Sequence, residues 1–136
     1  MGIKQAIRSL VLGESTISDL IGTKLYATIA ETRAQLPYIA YERTSSESMS
    51  VTLGAVGDLR KDRFAFQVNT NTSLEGENIA EALRVFLESQ YLVSPEGVPI
   101  SRFYFSSQSE GEYLPEGREK PIYEVVQNWE VVYNAS

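Results

Sequence analysis

Apolar residues at Ile3, Ala6, Ile7, Leu10 and Val11 fall at the i, i+3, i+4 spacing of one helical face, which predicts a helix over 3–12 that stops at Gly13. Ile17, Leu20 and Ile21 repeat that spacing between Ser15 and Gly22, so a second short helix is expected there, capped by Ser15 or Thr16. Residues 25–30 read as an extended or irregular connector. From Leu36 the period changes. Leu36-Pro37-Tyr38-Ile39-Ala40-Tyr41-Glu42-Arg43-Thr44 is rich in aromatic and β-branched residues and predicts a strand, with Pro37 placed at its start or on an edge. A polar stretch, 44–50, leads through Val51-Thr52-Leu53 to Gly54 and Gly57; residues 44–59 read as a long hairpin arm, with a short strand near Met49 to Leu53.

Between Asp62 and Thr70, Phe64, Phe66 and Val68 alternate with Arg63, Ala65, Gln67 and Asn69, the pattern of a half-buried antiparallel strand. Thr72 with Glu75 three residues on forms a capping box, and Leu74, Ile79, Leu83, Phe86 and Leu87 mark a helix over about 74–89. Gly76 sits in its first turn and lowers helix propensity by roughly 1 kcal/mol relative to alanine. A turn at Ser94-Pro95-Glu96-Gly97 precedes a strand over 100–107, with Phe103 and Phe105 on one face and Arg102 and Tyr104 on the other. Residues 109–121 read as a polar loop or hairpin tip. Ile122–Tyr133 reads as the longest strand, with Tyr123, Val125, Trp129, Val131 and Tyr133 on one face and Gln127 as the polar exception. The order is helix, helix, strand, arm, strand, helix, strand, strand. The expected fold is α+β: a single, mainly antiparallel sheet of about four strands with helices packed on one face, plus the long hairpin arm and loop. No linker divides residues 1–136, so one domain is expected.

Composition narrows the chemistry. The chain has 136 residues and contains neither histidine nor cysteine. Disulfides, thiolate metal sites, cysteine nucleophiles and every Ser-His or Cys-His arrangement are excluded. Twelve basic against 18 acidic residues leave a net charge of -6, which offers no general attraction to nucleic acid and no polybasic membrane patch. No apolar run approaches the ~20 residues of a membrane span, and no signal-peptide pattern opens the chain, so a soluble intracellular protein is expected. Gly54 and Gly57 lack the lysine and hydroxyl residue of a phosphate loop, and Glu110, Glu112, Glu116 and Glu119 do not match a calcium-binding loop. Phe103-Tyr104-Phe105 lacks the interleaved cations of a base-stacking platform and reads as core. No catalytic, cofactor-binding or metal-ligating residue emerges, and no cofactor is expected. The two long polar appendages suggest contacts with other chains instead. The candidate contact residues are Ser46, Met49, Val51, Leu53, Val56, Tyr113 and Leu114.

Four stretches resemble the tail-completion (tail terminator) family of long-tailed bacteriophages. They are the helix Ile3–Leu12 with the following Ile17-Ser18-Asp19-Leu20-Ile21-Gly22, the tripeptide Lys24-Leu25-Tyr26, the strand opening Leu36-Pro37-Tyr38-Ile39-Ala40-Tyr41, and Phe64-Ala65-Phe66-Gln67-Val68-Asn69-Thr70 leading into the helix at Ile79–Phe86. The resemblance covers roughly residues 3–90. It implies a structural virion protein with no cofactor and no catalytic residue, assembled in the host cytoplasm. Such a protein forms a ring, generally hexameric, at the head-proximal end of the tail tube. Its partners would be copies of itself, the tail tube protein and the head-completion or connector protein, and DNA would pass through the lumen without specific binding. A head-to-tail contact closes into a ring when its rotation divides a full turn, and the 44–59 arm is the segment expected to lie on a neighbouring subunit. A head-completion, connector or tail tube protein is the nearest alternative; a non-viral interaction or ligand-binding domain is another.

Overall fold

A computed structural model describes residues 2–27, 35–49 and 59–135. The chain begins with α1 (Ile3–Leu12) and α2 (Ser15–Ile21), continues through β1 (Leu25–Ala27), β2 (Tyr38–Ser48) and β3 (Leu59–Thr70), and enters the long helix α3 (Ser73–Ser89). Then come β4 (Tyr91–Val93), a 3-10 turn at Pro95–Gly97, β5 (Ile100–Tyr113) and β6 (Ile122–Asn134). The strands form one six-stranded sheet in the order β1-β2-β3-β6-β5-β4. All neighbours pair antiparallel except β1, which runs parallel to β2.

The α+β class and the helices on one face agree with the sequence pattern, but among the described residues the sheet has six strands where the pattern predicts about four. The two additional strands are the three-residue edges. Leu25–Ala27, expected as a connector, pairs with Ile39–Tyr41, and Tyr91–Val93 pairs with Ile100 and Arg102. Neither is long enough to show a period. The expected appendages are also shorter than the sequence suggested. β2 runs on to Ser48 and β3 starts at Leu59, so most of 44–59 that is described belongs to strands. The short strand expected near Met49–Leu53 lies, apart from Met49, outside the described residues; Met49 follows β2 and donates its N–H to the Leu59 carbonyl at 2.8 Å. β5 extends six residues beyond Ser107, which leaves 114–121 as the loop rather than 109–121.

The helix ends follow local chemistry. Thr72 caps α3 by accepting the Glu75 N–H at 3.2 Å, as the capping box requires. The Glu75 carboxylate reaches back to the Asn71 N–H instead of the Thr72 N–H. At α2 the cap is Glu14, not Ser15 or Thr16; its carboxylate accepts the Thr16 N–H at 3.3 Å. Leu74, placed on the buried face of α3 by its spacing, is 66% exposed because the helix rolls Gly76 and Ala80 toward the sheet instead.

One core fills the space between helices and sheet. Ile3, Ile7, Ile17, Ile21, Leu83 and Leu87 from the helices meet Tyr41, Phe64, Phe66, Val125, Trp129 and Val131 from the strands. Its centre is aromatic: Tyr41 stacks on Phe66 at 5.7 Å, and Trp129 takes Phe105 edge-on at 5.3 Å. Ile100 and Phe103 both face the core although they lie three residues apart; a register shift between Ile100 and Arg102 restores the alternation. At Gly76 the α3 backbone lies tight against the sheet. A Cβ there would lie 2.7 Å from Tyr123 Cδ1 and 2.9 Å from Thr70 Oγ1. Gly76→Val is therefore expected to destabilise the protein by about 1–3 kcal/mol through overpacking, despite removing a poor helix former. Thermal unfolding followed by circular dichroism checks this, and a raised midpoint would contradict it.

Candidate assembly surfaces

The antiparallel registers define two ends of the sheet. Tyr38, Thr70, Ile122 and Tyr113 lie at one end, and Ser48, Leu59, Asn134 and Ile100 at the other. The β2–β3 hairpin turns at the second end and the β5–β6 hairpin at the first. The candidate contact residues separate accordingly. Ser46 lies exposed in β2 opposite Asp62, and Met49 is 44% exposed just beyond the same strand. Tyr113 and Leu114, 40% and 60% exposed, lie at the opposite end. The structure does not bring the two groups together. Val51, Leu53 and Val56 lie outside the described residues.

Each end carries a polar constellation that the sequence reading missed. At the β2–β3 end, Asp62 is fully buried on the same face as Phe64 and Phe66. Its Oδ2 accepts the Tyr133 hydroxyl at 2.8 Å and an Arg43 guanidinium N–H at 3.2 Å. Its Oδ1 is buried with no hydrogen-bond partner among the described residues. The node ties β2 to β6 across β3. Parity was the available signal, because Asp62 stands two residues before Phe64 in a strand whose alternate positions face inward. The more exposed pairs Lys61–Glu47 at 3.1 Å and Arg63–Glu130 at 3.2 Å surround it, each worth about 0–1 kcal/mol.

At the β5–β6 end the polar groups are tyrosines and carboxylates. Tyr113 donates to Asn69 Oδ1 at 3.1 Å, Tyr123 donates to Glu110 at 2.9 Å, and Tyr26 meets the edge of Tyr38 with ring centroids 5.9 Å apart. Burial, followed by the neighbouring Tyr113 and Glu124, pushes the Tyr38 phenol up to about 12. Burial also raises Tyr41, and raises Tyr133 and Tyr123 with help from their bonds to Asp62 and Glu110. These phenols keep their protons in the fold at a pH where the unfolded chain loses them. Stability is therefore expected to hold below pH ~10 and to fall as pH rises toward the folded values, near 12 for Tyr38. Urea midpoints from pH ~9 to ~12 check the slope, which should flatten in Tyr38→Phe.

A shallow cleft of about 190 Å³ lies between the 3-10 turn and the end of β6, lined by Glu96, Val98, Pro99, Tyr133 and Asn134. Ligand sites commonly occupy ~300–1,000 Å³ and converge several polar groups. Here Glu96 accepts a hydrogen bond from the Ser9 hydroxyl at 2.8 Å, and Tyr133 is committed to Asp62. Among the described residues no group of three Asp or Glu side chains is placed to hold a metal ion, and no helix is long and apolar enough to cross a membrane.

No family model and no curated protein matches the sequence. Among solved structures, the chain is similar in fold to a protein described as part of the virion of a native gene transfer agent particle. The match has a TM-score of 0.65 and 13% sequence identity, and it covers 98% of each chain.

Proposed function

We propose that this chain is a structural protein of a phage-like virion, and specifically a tail terminator subunit that forms a ring, hexameric in the reading the sequence resemblance supports, on the head-proximal end of a tail tube. The observation that carries the reading is the likeness in fold, over 98% of both chains, to a protein of a gene transfer agent virion. It is independent of the four stretches of sequence that resemble the tail-completion family. The sheet itself adds support. Strand residues 44–48 and 106–113 are exposed on both faces, a use of ordered backbone that serves contacts between chains better than it serves a core. In this reading the protein acts by shape, without a reactive centre, between the tail tube protein and the head-completion or connector protein. The net charge of -6 suits a channel wall that repels passing DNA.

Negative-stain microscopy and native mass measurement, with and without tail tubes, test the reading. Single closed rings, or a monomer that becomes a ring on tube ends, are the expected results. A variant with residues 50–58 replaced by Asn-Gly keeps the Met49–Leu59 contact and should stay folded while losing ring formation, as expected of an arm that lies on its neighbour. Long open tubes from the purified protein would favour the tail tube alternative. A monomer indifferent to tubes would overturn the proposal.

A further inference from the structure

β5 is an edge strand over most of its length. β4 covers it only at Ile100 and Arg102, so among the described residues no strand pairs with the outer side of Tyr104–Tyr113. Natural edges are commonly blunted by lysine, proline or brevity. This one is long, and between Ser106 and Tyr113 it contains no lysine and no proline. Every residue from Ser106 to Tyr113 is exposed, and Ser106, Ser107, Ser109 and Gly111 leave room for close approach of another backbone. Such an edge takes an added strand through main-chain hydrogen bonds.

We infer that the open edge of β5 pairs with the Glu42–Ser48 stretch of β2 from a second copy of this chain, antiparallel and head to tail, so that the sheets of neighbouring subunits join. The inference rests on the ring-forming reading above and assigns its contact. Three observations select this occupant. Among the described residues β2 has the matching feature at the opposite edge of the sheet: β1 pairs with it at Ile39–Tyr41, no described strand covers the stretch beyond, and Thr44–Glu47 are exposed. The polarity is right, because β2 and β5 run in opposite directions within the sheet. Copies related by rotation about an axis at a moderate tilt to the strands therefore meet in the favoured antiparallel sense.

Charge favours the unlike pairing over β5 against β5. Residues 105–125 hold Glu110, Glu112, Glu116, Glu119 and Glu124 against Arg118 and Lys120. Two such ends repel each other. The described residues 42–49 and 59–63 hold Arg43, Arg60, Lys61 and Arg63 against Glu42, Glu47 and Asp62, and Asp58, outside the described residues, only brings that count level. The two stretches also lie toward opposite ends of the sheet, so in a closed ring the strands must tilt away from the ring axis, which staggers neighbouring strands without displacing the copies along it. Closing strands into a barrel requires such a stagger.

The natural chain has no cysteine, so introduced thiols report alone. Ser46→Cys is mixed with Ser109→Cys or with Gly111→Cys, where an added Cβ meets nothing within 4 Å, and the mixture is oxidised under conditions where rings form. A disulfide-linked dimer is expected in the mixtures at about tenfold or more over either variant alone, since bridged Cα atoms must lie ~4.4–6.8 Å apart. A double variant carrying Ser46→Cys and Ser109→Cys in one chain should give a covalent ladder.

Proline supplies the second arm. Of the adjacent positions 109 and 110, one has its N–H on the outer side, where proline leaves the β5–β6 ladder intact. Whichever of Ser109→Pro and Glu110→Pro keeps the parent melting temperature should lose ring assembly by about tenfold or more. Rings that form without mixed crosslinks, or that tolerate the silent proline, overturn this inference and leave the ring reading standing. Crosslinks within single variants alone indicate a like-to-like contact and also overturn it. A protein that forms no assembly with or without tubes overturns both.

Discussion

Trp129→Ala is expected to remove about 3–5 kcal/mol of stability through lost packing and the cavity left behind. The indole is 1% exposed at the centre of β6 and packs edge-on to Phe105 at 5.3 Å and Phe103 at 6.5 Å. It is also polar glue. Its N–H donates to Gln127 Oε1 at 3.1 Å, while Gln127 Nε2 donates to the Ala80 carbonyl at 2.9 Å and to Gln108 Oε1 at 3.0 Å. Alanine leaves the fully buried Gln127 with an unpaired acceptor, at a further cost of about 1–3 kcal/mol. Domains of this kind are stable by only about 5–15 kcal/mol, so the variant should lie close to unfolding at ordinary temperature. Trp129→Phe separates the two effects, because it keeps most of the ring contact and loses the N–H. Denaturant midpoints read by far-ultraviolet circular dichroism measure both, since the chain has one tryptophan and no second one to report by fluorescence. An unchanged midpoint in Trp129→Ala would refute the packing described for β6.

The second large effect is expected at Asp62. Its side chain is inaccessible to solvent, and the Arg43 side chain whose guanidinium faces it is 38% exposed. Removing the cation in Arg43→Met strands a buried charge with the Tyr133 hydroxyl as its remaining hydrogen-bond partner, which should destabilise the protein by about 3 kcal/mol, the low end for a broken buried pair because Arg60 also lies near this node. Removing both charges in Asp62→Leu with Arg43→Met should recover most of that loss, since a buried ion pair and an apolar replacement of similar volume are often equivalent. The four midpoints form a double-mutant cycle whose coupling should reach ~0.5–3 kcal/mol. Additive losses would mean that Arg43 and Asp62 act independently, contrary to the 3.2 Å contact.

Much of this architecture was legible in the chain. α1, α2, α3 and the cores of β5 and β6 bury mainly one side, and one-sided burial writes its period into the sequence; β2 and β3 also bury the small Ala40 and Ala65 and the polar Asn69 on their other face, but Phe64, Phe66 and Val68 keep the alternation readable. The remainder was hidden for physical reasons. β1 and β4 are too short to show a period, and their existence depends on Ile39–Tyr41 and Ile100–Arg102 offering a partner. Ser106–Tyr113 is ordered by backbone pairing with β6 while both its faces meet water, so it carries no alternation at all. The same stretch reads by composition as a loop. Of the candidate contact residues, Ser46, Met49, Tyr113 and Leu114 are exposed, the first two at one end of the sheet and the last two at the other. Asp62 was missed because a carboxylate opening a strand reads as solvated, and only the positions of Tyr133 and Arg43, 71 and 19 residues away in sequence, make its burial tolerable.

Among the described strands β6 lies between β3 and β5 and is the last of them along the chain. During synthesis the ribosome must therefore release residues 122–134 before the two halves of the sheet can be joined. Until then β3 and β5 each expose a side that will later be covered, and a nascent chain halted before Ile122 is a substrate for chaperones or for its own siblings. Once β6 is inserted it is hydrogen-bonded on both sides from Tyr123 to Tyr133. Its amides should consequently be the slowest in the molecule to exchange with deuterium.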